Sequence, residues 1–128
     1  NPEKGDVLLS CSGSVGRVST VETNEEFTLV RSVALIKPNN EKIKGKYLEY
    51  LLRTDFIQNE IKKRSKQSSQ ANIFIGEIKK LPIMMVPLDI QNRFIKVYLK
   101  IKNHKMQMEN SLTEIEKLIS SVNFSYFS

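Results

Sequence analysis

DIQNRFIKVYLKIKNHKMQMENSLTEIEKLISSV, from Asp89 to Val122, is the stretch whose reading decides how this chain is organised. It contains no Pro and no Gly, and Asp89, just past Pro87, sits where a helix N-cap belongs. Apolar residues recur at Ile90, Phe94, Val97, Ile101, Met108, Leu112, Ile115 and Leu118/Ile119, a three-four spacing held for about four heptads. At ~1.5 Å per residue such a helix is roughly 50 Å long, longer than a small domain is wide. A narrow apolar seam on a rod of that length calls for a partner helix. The seam is interrupted, because His104 falls on it and the register shifts between Met108 and Leu112. The plainer reading is a long helix folded back on its own domain. The spacing favours a projecting strut with a coiled-coil partner, paired through Phe94, Val97, Ile101, Met108, Leu112, Ile115 and Leu118.

The rest of the composition bounds what surrounds this helix. A chain of 128 residues accommodates one domain in addition to it. A net charge of +6 and a pI near 9.5 make an acidic polymer the leading partner class, although a Lys/Glu-rich composition alone can give such values. Cys11 is the single cysteine, so no intrachain disulfide is possible and a reducing, cytoplasmic setting is the simpler expectation. The longest apolar stretch, Leu81 to Leu88, falls far short of the ~20 residues a membrane span needs. The opening NPEKGD is unlike a signal peptide and lacks a Met, so the expectation is a chain that begins within a larger domain.

Taken in order, Pro2 to Asp6 reads as a turn and Val7-Leu8-Leu9 as a short buried strand. Cys11 to Gly16 (CSGSVG) is a small-residue loop whose glycines permit a tight turn or a close backbone approach. Arg17 to Val21 alternates well enough for a second strand, paired with the first as a hairpin. Phe27 to Lys37 is β-branched and apolar, a third strand interrupted at Arg31 and Ser32 and ended by Pro38-Asn39-Asn40. After Lys42 the period changes, placing Leu48, Leu51, Leu52, Phe56, Ile57 and Ile61 on one helical face. Thr54 is positioned to cap a second helix, which gives two short helices, about Lys46–Arg53 and Asp55–Arg64. Lys62-Lys63-Arg64 suits the negative end of the latter's dipole. Ser65 to Asn72 (SKQSSQAN) is a polar loop. A helical turn follows around Gly76-Glu77-Ile78, and Leu81 to Val86, bracketed by Pro82 and Pro87, reads as an edge strand or extended segment.

Catalytic chemistry finds little support. Cys11 with His104 as base is the available nucleophile pair, but His104 lies midway along the long helix and a single Cys after a strand behaves as a small hydrophobe. The glycines of SGSVG resemble phosphate loops, yet no GK[ST] follows. One Cys, one His and scattered carboxylates give no metal site. The sequence therefore offers no catalytic residue, no metal site and no cofactor. Binding is better served. Ser12, Ser14 and Arg17 offer hydroxyls, backbone N–H groups and a cation to a phosphate. Lys63, Arg64 and Lys66 suit phosphates, while Gln67, Ser68, Ser69, Gln70 and Asn72 carry the amides and hydroxyls that pair with base edges. A solvated helix end followed by a plain loop is the competing explanation of the same residues.

Together these pieces resemble a known family. GDVLLSCSGSVGRVSTV, the third strand, YLEYLLRTDFIQNEIKKRSKQSSQANI and LPIMMVPLDIQNRFIKVYLKI occur in the order found in DNA-specificity (S) subunits of type I restriction–modification enzymes. That family shows a G-D-[IV]-L-hydrophobic-Ser stretch with two following glycines, a helix ending near a G-S-T-x-Q-x-x-I loop, and a proline-rich run with Leu-x-x-Gln entering a long helix. Here Lys66-Gln67 stand where Gly is common, and the proline-rich run is reduced to Val86-Pro87-Leu88-Asp89 with Gln91 kept.

The resemblance implies a target recognition domain followed by a spacer helix that packs antiparallel on a second one, from the same subunit or another copy. It also implies double-stranded DNA as ligand, and modification (methyltransferase) and restriction subunits as the partners that do the chemistry. The expected architecture is α/β (α+β): a small mixed sheet with short helices, then one long projecting coiled-coil helix. Residues 1–88 would be the C-terminal portion of the recognition domain, 89–122 the spacer and dimerisation helix, and 123–128 a tail. The competing functional readings are a coiled-coil protein-interaction module and a dimeric basic DNA-binding regulator.

Overall fold

A computed structural model describes residues 1–67 and 71–127, with side chains described for 1–65 and 71–122. It divides into two units, residues 1–95 and 96–128. The first is built on a three-stranded sheet in the order β2-β1-β3, with β1 Val7–Ser10, β2 Val18–Thr20 and β3 Val33–Ile36. Both pairings are antiparallel, so the mixed sheet expected from the sequence is an antiparallel one, and β1–β2 is the hairpin. Val7 and Leu9, on one face of the central strand, are wholly buried, whereas Leu8 and Ser10 are half-buried, as a two-residue period dictates. The third strand is shorter than Phe27–Lys37. β1 ends at Ser10, so nothing upstream of Val33 has a strand to pair with. Ser32 instead accepts the Cys11 N–H at 2.7 Å, and a turn closes from the Val33 N–H to the Val30 carbonyl.

Two helices cover the buried face, α1 Gly45–Leu52 and α2 Asp55–Arg64. Tyr47, Leu48 and Leu52 of α1 and Ile57 and Ile61 of α2 join Val7, Leu9, Ile73 and Leu81 in the core. Phe56, expected on the same face, is exposed, because the break at Arg53-Thr54 resets the helical phase. Thr54 does occupy the N-cap of α2, but its hydroxyl donates back to the Leu51 carbonyl rather than accepting from the new helix. α1 also secures the sheet edge. Glu49 Oε1 accepts the Thr20 N–H at 3.0 Å and Arg53 Nη2 donates to the Val18 carbonyl at 2.7 Å, so backbone groups on the outer side of β2 are not left open to another strand. At the start of α1 a Cβ on Gly45 would lie 2.4 Å from the Gly5 carbonyl oxygen, so only glycine lets this helix end approach the turn before β1.

Ser65 to Asn72 is not a plain loop, since Lys66–Gln67 (β4) pairs antiparallel with Ala71–Asn72 (β5). A short turn of helix, α3 Ile75–Ile78, follows, and Leu81 to Val86 is extended with no ladder partner among the described residues. The last helix, α4, runs Leu88–Phe127. It starts one residue before the expected cap: the Pro87 carbonyl accepts the Gln91 N–H, and Asp89 lies in the first turn, where its charge complements the dipole. It also continues through the segment expected to be a tail. The first two turns belong to the first unit. The Phe94 ring meets Tyr47 edge-on at 5.3 Å between centroids, so this residue of the expected pairing seam contributes to the globular core.

The buried Asp6 ties β1 to β3, accepting the Glu3 N–H at 2.8 Å and the Lys37 ammonium at 2.7 Å. Burial acts to raise its pKa, but the Lys37 hydrogen bond and charge and the Glu3 N–H together hold it below the ordinary carboxylate range. A depressed pKa contributes stability at neutral pH that is lost as pH falls through it, so the melting temperature is expected to drop below about pH 4. Asp6→Asn should flatten part of that acid limb in thermal melts. An unchanged limb would place the acid sensitivity elsewhere.

Candidate nucleic-acid interface

The small-residue loop after β1 is shaped by its own hydrogen bonds. Gly13 and Gly16 have φ of 72° and 96°, a backbone region that side chains rarely adopt. The Ser10 hydroxyl donates to the Ser14 carbonyl and accepts the Arg17 N–H at 2.9 Å, closing the loop on itself. Gln58 of α2 then clamps it, its Nε2 donating to the Gly16 carbonyl at 2.9 Å and the Leu52 carbonyl at 2.7 Å. A Cβ at Gly16 would lie 2.8 Å from Gln58 Oε1, so a side chain there would displace the clamp. Sequence reasoning missed Gln58. Its only signal is an amide flanked by buried Ile57 and Ile61, at a position an amphipathic pattern leaves unexplained.

The other side of the loop joins the β4–β5 hairpin. Ser12 forms an antiparallel bridge with Asn72, and the Ile73 N–H donates to the Cys11 carbonyl at 2.9 Å. Two candidate segments some sixty residues apart in sequence are thus one surface. Ser12 and Asn72 are half-buried where they meet, while Ser14 and Arg17 are exposed. Lys66 and Gln67 form β4, and Ser68, Ser69 and Gln70 lie outside the described residues.

The basic end of α2 divides into two roles. Lys63 is well exposed and lies 3.7 Å from Glu60. Arg64, expected to face a phosphate, is turned inward, with Nη1 3.2 Å from Glu77 Oε2 and Nε 3.6 Å from Glu60 Oε2. It links α2 to α3 at the base of the hairpin. The Arg64 hydrogen bond, helped by Lys80, holds the Glu77 carboxyl below its ordinary range. Cys11 Sγ lies against the Arg31 carbonyl at 3.9 Å. Among the described residues no group of three His, Cys, Asp or Glu could hold a metal ion, and no helix is long and apolar enough to cross a membrane.

In the second unit the apolar positions Val97, Ile101, Met108, Leu112, Ile115 and Leu118 are each more than half exposed. Ile101, His104, Lys105 and Met108 outline one shallow depression, and Met108, Ser111, Leu112 and Ile115 outline another. Residues spaced i, i+3, i+4 and i+7 in this way form the hole that receives a knob from a facing helix.

The loop after β1 and the β4–β5 pair thus bring the candidate polar residues together, and the apolar stripe of α4 is exposed. The model of the type I restriction modification DNA specificity domain matches residues 1–118, and the chain belongs to that family. It is 31% identical over 124 residues to a specificity subunit ascribed to the MjaX type I restriction enzyme of Methanocaldococcus jannaschii. It is 23% identical over 123 residues to the EcoBI type I restriction enzyme specificity subunit of Escherichia coli. Each alignment covers 93% of this chain and 26% of the relative, so the chain spans about a quarter of their length. The crystal structure of the type-I restriction-modification system S subunit from M. genitalium shares the fold, with a TM-score of 0.64 and 23% identity over 90% of this chain and 30% of that one.

Proposed function

We propose that this chain is the C-terminal part of a DNA target recognition domain with its spacer helix, in the specificity subunit of a type I restriction–modification complex. Residues 1–88 form the recognition part and 89–122 the spacer and assembly element, followed by the 123–128 tail. Double-stranded DNA lies across the joined loop and hairpin. Arg17, Lys63 and Lys66 hold phosphates; Ser12, Ser14, Gln67, Ser68, Ser69, Gln70 and Asn72 supply hydroxyls and amides. Arg64 sets the base of the hairpin. The observation that supports this best is the Ser12–Asn72 bridge, which merges two polar segments far apart in sequence into one surface. The exposed stripe of α4, with its two shallow depressions, fits a second spacer helix. Methyl transfer and cleavage belong to partner modification and restriction subunits in the cytoplasm, and this chain contributes recognition without catalysis.

The test is fluorescence anisotropy of the complete polypeptide on duplex DNA at several salt concentrations. Lys63→Ala should weaken binding to all sequences alike and reduce the slope of log K against log salt by about one contact. Gln67→Ala or Gln70→Ala should cost roughly 1–3 kcal/mol on the preferred half-site and little on random duplex. Equal losses on both duplexes would mean the hairpin only grips the backbone. Unchanged binding in every variant would place the DNA elsewhere.

A further inference from the structure

We propose that Asn59 is a specificity-determining residue whose amide reads a base edge in duplex DNA from a groove beside the loop–hairpin junction. The inference rests on the DNA-recognition reading above and adds an element that the hairpin does not contain. The groove has a volume of about 490 Å³ and lies between three segments: Val15 of the loop, Asp55, Asn59 and Lys62 of α2, and Ser65 and Ala71 at the foot of the hairpin. Asp55, Asn59 and Lys62 are spaced four and three residues apart, so they share one face of α2, and all three are exposed.

The backbone carrying them is fixed. Ile57 and Ile61 are buried, and Gln58 is anchored to the Gly16 and Leu52 carbonyls, so α2 cannot roll against the loop. Along this face the groups run carboxylate, amide, ammonium. The Asp55 carboxylate repels phosphate, which keeps the DNA backbone from lying along the whole groove. Lys62, at the hairpin end, takes a phosphate. Asn59 stands between the two, and an exposed amide there can pair bidentately with an adenine edge, donating to N7 and accepting from N6. Val15 and Ala71 offer the groove walls only short apolar side chains, which leaves room for that edge. Lys62 therefore sets position and Asn59 carries sequence information.

The complete polypeptide and its Asn59→Ala, Asn59→Gln and Lys62→Ala variants are each used to select from a duplex DNA library randomised across one half-site. The selected pools are then sequenced. Asn59 is exposed on α2, so a circular dichroism melt should show Asn59→Ala folded as the parent. The expected result is that the parent enriches a motif and Asn59→Ala loses preference at one or two adjacent positions, with about tenfold weaker binding to the parent motif. Asn59→Gln should change the preference at those positions, and Lys62→Ala should keep the whole motif at lower retention. A motif that survives Asn59→Ala unchanged overturns the role of Asn59 while leaving DNA recognition standing. A parent that enriches no motif overturns the recognition reading and this inference with it.

Discussion

Gln91→Leu is expected to destabilise the globular unit by about 3 kcal/mol or more, which for a unit of this size lowers the melting temperature by roughly 12 °C or more. Gln91 is fully buried near the start of α4, where the other described residues are half-buried or exposed. Its Oε1 accepts the Lys44 N–H at 2.9 Å, and its Nε2 donates to the Lys42 and Val86 carbonyls at 2.8 and 2.9 Å. One amide thus satisfies three backbone groups and fastens the start of α4 to the segment entering α1. Leu has nearly the same volume, so the substitution opens little cavity, and the loss reports three buried groups left without partners. Gln91→Glu keeps the acceptor and turns a carboxylate toward two carbonyl oxygens. It should therefore be no more stable than Gln91→Leu at neutral pH and recover in part on acidification. Denaturant or thermal melts of the 128-residue chain decide the matter. A Gln91→Leu variant melting within about 2 °C of the parent would show that the clip is dispensable.

Gln91 also marks where sequence reading stopped. It was legible as part of a Leu-x-x-Gln run entering the long helix, but its use depends on Lys42 and Lys44, almost fifty residues away. Local patterns carry periodicity and turn chemistry, and those features were readable. α2 occupies the expected Asp55–Arg64, and the β1–β2 hairpin forms across the glycine loop. What failed was set by tertiary contact. The third strand contracted to Val33–Ile36 because a four-residue β1 can pair with no more. Phe56 and Arg64 exchanged their expected surroundings, the apolar ring facing water and the cation meeting Glu60 and Glu77, because helix phase and neighbouring carboxylates override residue type. Gly45 had no sequence signal as a close-packing residue, and the clamping role of Gln58 had only the weak one of an amide flanked by buried Ile57 and Ile61. Of the candidate site, the sequence offered two separate polar segments, and it is the pairing of Ser12 with Asn72 that makes them one surface.

Ile101→Asp combined with Ile115→Asp is expected to weaken association of the 128-residue chain by about a thousandfold or more. In the second unit Ile101 and Ile115 are exposed, as are Val97, Met108, Leu112 and Leu118 along the same stripe. Covering each by a second helix is worth an estimated 1.5–3 kcal/mol, so losing two removes about 3–6 kcal/mol, before counting the cost of placing two carboxylates against apolar surface. Each 1.4 kcal/mol is a factor of ten in affinity, which gives the expected scale. The control places the same charges on the other side of the helix: Thr113→Asp with Ser120→Asp should leave association within about threefold. Sedimentation at micromolar concentration reads each of these outcomes. A parent chain that sediments as a monomer would remove self-pairing through α4, and a control pair as damaging as the seam pair would show that added charge, not the apolar stripe, governs the association.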